Sequence, residues 1–247
     1  DSAGEPPCSG LRSDGVRARG EYIPFSRPTV GEEGIAAVVD VLRSGWLTTG
    51  EVCQSFEGEF RQVVGTRHAV AMSSCTAAIH ACLVALGVGP GDEFITTPFT
   101  FPATANAIMY TGAKPVLVDV ERETGNLEMG GVRNLIENCY RHGQVGSALV
   151  NTTTGGVLKG ILPVHYGGGL CDMSELLNIA EEFSLVVVED AAHALGAEMD
   201  DKHAGSFGKA GCFSFYPTKA ITTAEGGMVA TNDAELAACL RLLRNHG

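Results

Sequence analysis

Short apolar runs alternate with amphipathic helical patterns along most of the chain, from Tyr22 to its end. Strands that are buried on both faces of a parallel sheet read as such continuous apolar runs. The alternation predicts an α/β fold with a mostly parallel, seven-stranded sheet between helices. The seven runs are AVAMS (69–73), FITTPF (94–99), PVLVDV (115–120), ILPVHY (161–166), LVVVED (185–190), GCFSFY (211–216) and GGMVAT (226–231).

The beginning of the chain has a different pattern. Residues 1–20 are rich in Gly, Ser, Pro and charge and predict a flexible lead-in. Thr29 is a candidate cap for a helix over residues 30–44, whose apolar residues recur at intervals of three and four. GWLTTG (45–50) breaks this helix, and VCQSFEGEFRQVV (52–64) predicts a second one.

Composition narrows the class of partner. The 247 residues are 45% hydrophobic and carry a formal net charge of −12, without a run of Lys or Arg. Nucleic acid and anionic membrane surfaces are therefore not expected as partners, whereas small molecules are. No apolar run reaches the roughly 18 residues of a membrane helix, and the polar start lacks the apolar segment of a signal peptide.

Eight cysteines are spread along the chain without a C-x-x-C pair, and several lie inside apolar patterns. This spacing favours reduced, buried thiols in a cytoplasmic protein over a disulfide framework. It also lacks the paired ligands of a zinc site, so no metal is expected.

Chemically distinctive residues follow four of the predicted strands. Asp190 ends the run LVVVED, and Lys219 follows GCFSFYPT. Phe101 follows FITTPFT, and SSCT (73–76) opens a helix after AVAM. Ligands of such sheets bind at the carboxyl ends of the strands, so these residues are expected at one edge. Each has an ordinary alternative: a helix-capping aspartate, an exposed lysine, a core phenylalanine and an N-cap turn.

The joint occurrence of these four groups is more informative than any one of them. A lysine amine, a carboxylate, an anion-binding helix start and a flat ring are together the groups that hold pyridoxal 5′-phosphate. A carboxylate such as Asp190 is costly to bury unless a cation or hydrogen-bond donors meet it. We therefore expect Lys219 to be the amine that holds this cofactor.

Nine motifs extend the pattern from Tyr22 to Gly247. They are GWLTTG (45–50), FEGEF (56–60), SSCTAAIHACL (73–83), GPGDEFITTPFTFPATANAI (89–108), GAKPVLVDV (112–120), VHYGG (164–168), VEDAAHALGA (188–197), FSFYPTKAITTAEGGMV (213–229) and LRNHG (243–247). With these motifs the chain resembles the DegT/DnrJ/EryC1/StrS family of pyridoxal-phosphate-dependent sugar aminotransferases. The resemblance implies the large domain of a fold type I transferase.

The resemblance also implies a role for each candidate residue. Lys219 matches the Schiff-base lysine of the family, and Asp190 matches the carboxylate that contacts the pyridine nitrogen. The implied cofactor-binding set comprises Ser74, Cys75 and Thr76 at the phosphate turn, Ser214 as a further phosphate ligand, Phe101 as the stacking ring and His193 near the phenolic oxygen.

Several features depart from the family pattern. Cys75 and Ala224 each replace a glycine, which can adopt backbone conformations that other residues avoid. Residues 140–160 are longer and more polar than the pattern and predict an extended loop. The C-terminal small domain of the family is absent, so residues 21–247 are expected to form the cofactor-binding large domain alone.

The activity implied by the resemblance is amino transfer from glutamate, or glutamine, to a nucleotide-linked keto-sugar by a homodimer. Asp119 and Thr49 are candidate substrate contacts, and an ordinary strand-ending turn is an equal alternative for Asp119. A sugar dehydratase of the same family would carry His in place of Lys219, and a cysteine desulfurase would need a reactive cysteine in a later segment. A fragment that binds the cofactor or dimerises without turnover stays open.

Overall fold

The strands of the structure follow the apolar runs of the sequence. The computed structural model describes residues 24–143 and 148–246, so the predicted lead-in at residues 1–20 lies outside the described residues. The strands are β1 (His68–Met72), β2 (Asp92–Thr96), β3 (Lys114–Leu117), β4 (Tyr140–His142), β5 (Leu149–Asn151), β6 (Val157–Ile161), β7 (Val186–Asp190), β8 (Glu198–Met199), β9 (Lys202–His203), β10 (Ala210–Ser214) and β11 (Gly227–Thr231).

Seven of these strands form a continuous sheet in the order β1, β11, β10, β7, β6, β2, β3. From β10 to β3 every neighbouring pair is parallel, whereas β11 runs antiparallel to both β1 and β10. The prediction of a mostly parallel α/β sheet with seven main strands is confirmed within the described part of the chain. Strands β4 and β5 extend the sheet beside β6, and β8 pairs with β9 in a separate ribbon.

Helices cover both faces of the sheet. One core joins α3 (Cys75–Ala85), α4 (Ala103–Tyr110) and α7 (Ala234–Arg244) to Phe94, and a second core joins α5 (Met129–Cys139) and α6 (Met173–Glu182) to Ile95. Because Phe94 and Ile95 are consecutive strand residues, they point to opposite faces, and both faces must be apolar. No helix in the described ranges is long and apolar enough to cross a membrane. The first two helices are α1 (Glu32–Ser44) and α2 (Glu51–Val64).

The first helix differs from its prediction. It begins at Glu32, and its N-cap position is Gly31, which has no side chain to accept a hydrogen bond, so Thr29 is not the cap. None of the residues of α1 is buried. Its apolar stripe is exposed at Ile35, Val38 and Leu42.

The segment 140–160 contains strands β4 and β5 instead of the predicted extended loop. Its polar residues bind the buried carboxylate of Glu93, which is 1% exposed. The Tyr140 hydroxyl donates to it at 2.5 Å, Asn151 Nδ2 at 3.0 Å and Thr154 Oγ1 at 2.5 Å. A buried carboxylate needs such donors, so part of the polarity of this segment serves an internal partner.

Replacing Tyr140 by phenylalanine is expected to lower the free energy of unfolding by about 1–3 kcal/mol, because it removes one donor from the buried carboxylate. Urea denaturation followed by circular dichroism measures this loss. Tyr110→Phe is the matched control, since the Tyr110 side chain is 62% exposed, and its effect should stay within about 0.5 kcal/mol. Equal losses in the two variants would contradict the role given to the Glu93 network.

Candidate active site

The ends of four strands form one edge of the sheet. Met72, Gly227 and Ser214 lie side by side in the register of β1, β11 and β10. Cys212, two residues before Ser214, pairs with Asp190 at the end of β7. Because β11 is antiparallel to its neighbours, its first residue meets their last residues. The residues that follow β1, β7 and β10 are therefore brought together.

Asp190 is a buried carboxylate with two hydrogen-bond donors. The Thr104 hydroxyl donates to Oδ2 at 2.8 Å, and the Ala192 N–H donates to Oδ1 at 3.2 Å. Burial raises the pKa of Asp190, and the two donors oppose this effect. In residues 24–143 and 148–246 no cationic side chain forms an ion pair with it. A ligand that brings a positive charge would stabilise this carboxylate.

Lys219 lies in the loop between β10 and β11. Its backbone N–H donates to the Tyr216 carbonyl at 2.9 Å, which closes a tight turn after the strand. Burial lowers the pKa of the Lys219 amine, while Cys75 and Asp190 act in the opposite direction. A lowered pKa increases the fraction of neutral amine, which is the nucleophilic form.

A cleft of about 190 Å³ joins three of the predicted residues, because Lys219, His193 and Ser214 all line it. The pKa of His193 is lowered, first by burial and then by the Lys219 ammonium, against the effect of Asp190. These mutual influences show that Lys219, His193 and Asp190 lie within electrostatic reach of one another.

The turn at residues 74–76 starts α3, as predicted. The Ser74 hydroxyl accepts the Ala77 N–H at 3.1 Å and caps the helix. The N–H groups of Cys75 and Thr76, in the first turn of α3, have no acceptor inside the helix, and such N–H groups bind anions. A Cβ placed on Gly227 would lie 2.4 Å from the carbonyl carbon of Ser74. Strand β11 therefore presses against this turn so closely that only glycine fits.

The two glycine replacements have different consequences. Cys75 is the first residue of α3 and does not have a positive φ, so its side chain strains no backbone. Burial raises the pKa of the Cys75 thiol well above its ordinary value, which keeps the thiol protonated. Ala224 has a φ of 66°, in the left-handed region that favours glycine.

Ala224→Gly is expected to raise the free energy of unfolding by up to about 1.6 kcal/mol. It relieves left-handed strain of about 1–2 kcal/mol, and about 0.4–1 kcal/mol is lost because glycine gives the unfolded chain more freedom. Thermal denaturation measures the balance. Ala220→Gly in the same loop is the control, because Ala220 does not have a positive φ and gains nothing from glycine. A loss of stability in both variants would contradict strain at Ala224.

Phe101 lies in the loop between β2 and α4, and its side chain is 77% exposed, which excludes the core alternative. Its carbonyl accepts the Thr104 N–H at 3.1 Å. The exposed ring is therefore close in the chain to the hydroxyl that binds Asp190.

The two candidate substrate contacts do not line the cleft. Asp119 is exposed, and its Oδ1 accepts the Val120 N–H at 2.8 Å, as in a strand-ending turn. Thr49 is half-buried, and its carbonyl accepts the Trp46 indole N–H at 3.1 Å.

Sequence reasoning missed three buried residues near Asp190. Thr104 is fully buried, and its place in the first turn after Phe101 was the available signal. Glu189 and His165 are also fully buried and hydrogen-bond to each other at 3.0 Å. The available signal for Glu189 was a second acidic residue inside an apolar strand.

The donor set can be tested against the expected cofactor. A ligand that joins Lys219, Asp190 and the start of α3 needs a group that reacts with an amine, a basic ring nitrogen and an anion. Pyridoxal 5′-phosphate has an aldehyde, a pyridine nitrogen and a phosphate. A protonated pyridine nitrogen would complement the buried carboxylate of Asp190, and the phosphate would complement the N-terminus of α3. The residues present therefore fit this group.

The fold resembles solved structures of aminotransferases. PseC from Helicobacter pylori, an aminotransferase involved in the biosynthesis of pseudoaminic acid, matches with a TM-score of 0.78 and 33% identity over 91% of this chain and 56% of PseC. The putative sugar aminotransferase Spr1654 from Streptococcus pneumoniae, in its PMP form, matches with a TM-score of 0.80 and 31% identity over 92% of this chain and 57% of that chain. The structure thus has the α/β fold of the large domain of fold type I pyridoxal-phosphate transferases.

A curated relative gives the same assignment at the level of sequence. The spore coat polysaccharide biosynthesis protein SpsC from Bacillus subtilis is 44% identical over 232 residues, which are 94% of this chain and 55% of SpsC. Residues 28–247 match the DegT/DnrJ/EryC1/StrS aminotransferase family, and the chain belongs to this family. It spans about half the length of the curated relatives that it matches.

Proposed function

We propose that the protein is a pyridoxal-phosphate-dependent aminotransferase that moves an amino group from glutamate, or glutamine, to a nucleotide-linked keto-sugar. The observation that carries this proposal is the meeting of Lys219, His193 and Ser214 in one cleft beside the buried carboxylate of Asp190. A solvated surface lysine would not share a cleft with these groups or have its pKa lowered by burial.

The residues that would hold the cofactor are those of the cleft and the helix start. Lys219 would bind it covalently through its amine, and Asp190 would accept a hydrogen bond from its ring nitrogen. When bound, the cofactor supplies an electron sink for charge that develops on the substrate carbon. The other groups would be Ser74, Cys75, Thr76 and Ser214 at the phosphate, Phe101 against the ring and His193 beside it.

Lys219 and Asp190 perform the chemistry that belongs to the chain itself. As a free amine, Lys219 would be largely neutral because burial lowers its pKa, so it could take a proton from the substrate carbon and return it. Asp190 acts as an anion, and the donors Thr104 and Ala192 favour its ionised state. Thr104 also fixes the direction of the carboxylate, because it binds Oδ2.

The substrate class is supported by the relatives. PseC is described as acting in pseudoaminic acid biosynthesis and SpsC in spore coat polysaccharide biosynthesis, both of which concern sugars. We infer a keto-sugar acceptor for this chain, with Asp119 and Thr49 as contacts for parts of the substrate that extend beyond the cleft. We further propose a homodimer, as the resemblance to the family implies. We also propose a cytoplasmic location, which the seven free cysteines of the described residues support.

The test is an absorbance titration of the purified chain with pyridoxal phosphate, followed by borohydride reduction and peptide mass spectrometry. The expected result is a new band near the visible edge that borohydride removes, with the reduced cofactor left attached to Lys219. Added glutamate should then remove the band in wild-type protein that was not reduced. A folded protein that forms no band would refute the proposal, and a band that glutamate leaves unchanged would favour a binding fragment without turnover.

A further inference from the structure

Two fully buried side chains, those of Glu189 and His165, are hydrogen-bonded to each other next to Asp190. Glu189 precedes Asp190 on β7, and consecutive strand residues point to opposite faces, so Glu189 faces away from Thr104. Its Oε2 lies 3.0 Å from Nε2 of His165, and both side chains are 0% exposed. The Cys171 N–H donates to Nδ1 of the same ring at 3.3 Å, which places the ring proton on Nε2, facing the carboxylate.

The Glu189 carboxylate also holds the loop that precedes β10. Oε2 accepts the Gly205 N–H at 2.7 Å, and Oε1 accepts the N–H groups of Phe207 at 2.9 Å and Gly208 at 2.7 Å. A Cβ on Gly205 would lie 2.4 Å from the Phe213 ring, so this loop is pressed against β10. Four donors therefore converge on one buried carboxylate.

His165 connects this carboxylate to the main chain of Asp190. The His165 N–H donates to the Asp190 carbonyl at 3.1 Å, while the Asp190 N–H donates to the Pro163 carbonyl at 2.9 Å. Val164 pairs with Asp190 as an isolated parallel bridge. His165 thus binds the Asp190 backbone through its own backbone N–H. Its ring binds the side chain of the neighbouring Glu189.

Glu189 stabilises the loop before β10 through three backbone N–H groups, but these contacts do not account for its hydrogen bond to His165. A buried polar pair can often be replaced by apolar residues without loss, whereas a fully satisfied network imposes one geometry. We propose that Glu189 and His165 are positioning residues that fix the backbone of Asp190, so that its carboxylate meets the ring nitrogen of pyridoxal phosphate. This inference rests on the proposed function and concerns the accuracy of that contact.

The readout is the pH midpoint of the absorbance band of pyridoxal phosphate bound at Lys219. A well-placed Asp190 keeps a proton on the ring nitrogen, and this positive charge disfavours a second one on the nitrogen of Lys219. If the carboxylate shifts, the repulsion weakens and the midpoint rises. Glu189→Gln leaves in place the titratable groups that influence or are influenced by Asp190, which are His165, His193, Lys219, Cys75 and Cys212.

We expect Glu189→Gln and His165→Leu to raise the midpoint by about one pH unit, in the same direction as Asp190→Asn, with Lys219 still labelled by borohydride. His165→Gln should recover most of the wild-type value, because its amide can donate near the position of Nε2. Glu93→Gln is the matched control, since Glu93 is another buried carboxylate with several donors, at the start of β2. It should lower stability without moving the midpoint.

Each outcome has one meaning. A folded Glu189→Gln protein that is labelled at Lys219 and keeps the wild-type midpoint, as Glu93→Gln does, overturns the inference alone. If Glu189→Gln does not fold, the comparison of His165→Leu with His165→Gln decides, and equal midpoints in those two variants overturn it. A wild-type protein that forms no band refutes the proposed function, and the inference is refuted with it.

Discussion

Lys219→Ala is expected to abolish the covalent attachment of pyridoxal phosphate and to lower amino transfer by at least about 10²- to 10⁴-fold, the usual contribution of a general base. The reason is that, in the proposed function, Lys219 would supply both the amine that holds the cofactor and the base that moves the proton. The measurements are the absorbance band before and after borohydride, the mass of the labelled peptide, and the rate of amino transfer from glutamate.

Lys159→Ala is the control for this change. Lys159 is a half-exposed lysine on β6, and its Nζ lies 3.9 Å from an Asp92 oxygen, so it could react with free aldehyde but has no place in the cleft. This variant should keep the band and the labelled Lys219 peptide. In Lys219→Ala, an imine band that borohydride removes, with the reduced cofactor then found on another lysine, would refute the assignment of the amine.

Asp190→Asn is expected to weaken pyridoxal-phosphate binding by roughly ten- to a hundredfold, since a charged hydrogen bond contributes about 1.5–3 kcal/mol. The same variant should be more stable than the wild type without cofactor at neutral pH. Burial raises the pKa of Asp190, so the folded protein disfavours the ionised form that neutral pH imposes. Equilibrium dialysis measures the first effect and calorimetry the second.

The pH dependence of the second effect has a definite sign. Because the pKa of Asp190 is higher in the folded than in the unfolded chain, the stability advantage of Asp190→Asn should be largest at neutral pH. It should shrink as the pH falls through the folded pKa and the carboxyl becomes neutral. Asp233→Asn is the control of opposite sign, because Lys209 lowers the pKa of Asp233 to about 2 and the change should reduce stability at neutral pH. A wild-type protein that is more stable than Asp190→Asn without cofactor would contradict the burial argument.

The sheet could be predicted because its strands are buried on both faces. Runs such as LVVVED and GGMVAT are short, mostly apolar and flanked by helical patterns, which together identify them as buried strands. The order of strands and the reversed direction of β11 could not be predicted from the runs, since pairing depends on contacts between distant residues. Helix α1 begins at Glu32, later than predicted, with Gly31 in place of Thr29 at its N-cap position.

Lys219 and Asp190 could be proposed from the sequence because they occur together with a helix start and a flat ring after predicted strands, although each alone has an ordinary alternative. Thr104 could not, because a threonine in the first turn of a helix is unremarkable until a carboxylate is seen beside it. The segment 140–160 was misjudged for a related reason, since Tyr140 and Asn151 look solvent-facing in sequence and are satisfied by Glu93, which lies far away along the chain.

The position of β11 has a consequence for how the molecule assembles. Among the described residues, β1 is hydrogen-bonded to β11 alone, and His68 pairs with Thr231 across more than half of the chain. Closing so long a loop is slow, because its entropic cost comes before the contacts that repay it. During synthesis, the turn after β1 therefore cannot meet Gly227 until β11 has been made. A chain interrupted before β11 would carry Asp190 without the close contact between Ser74 and Gly227.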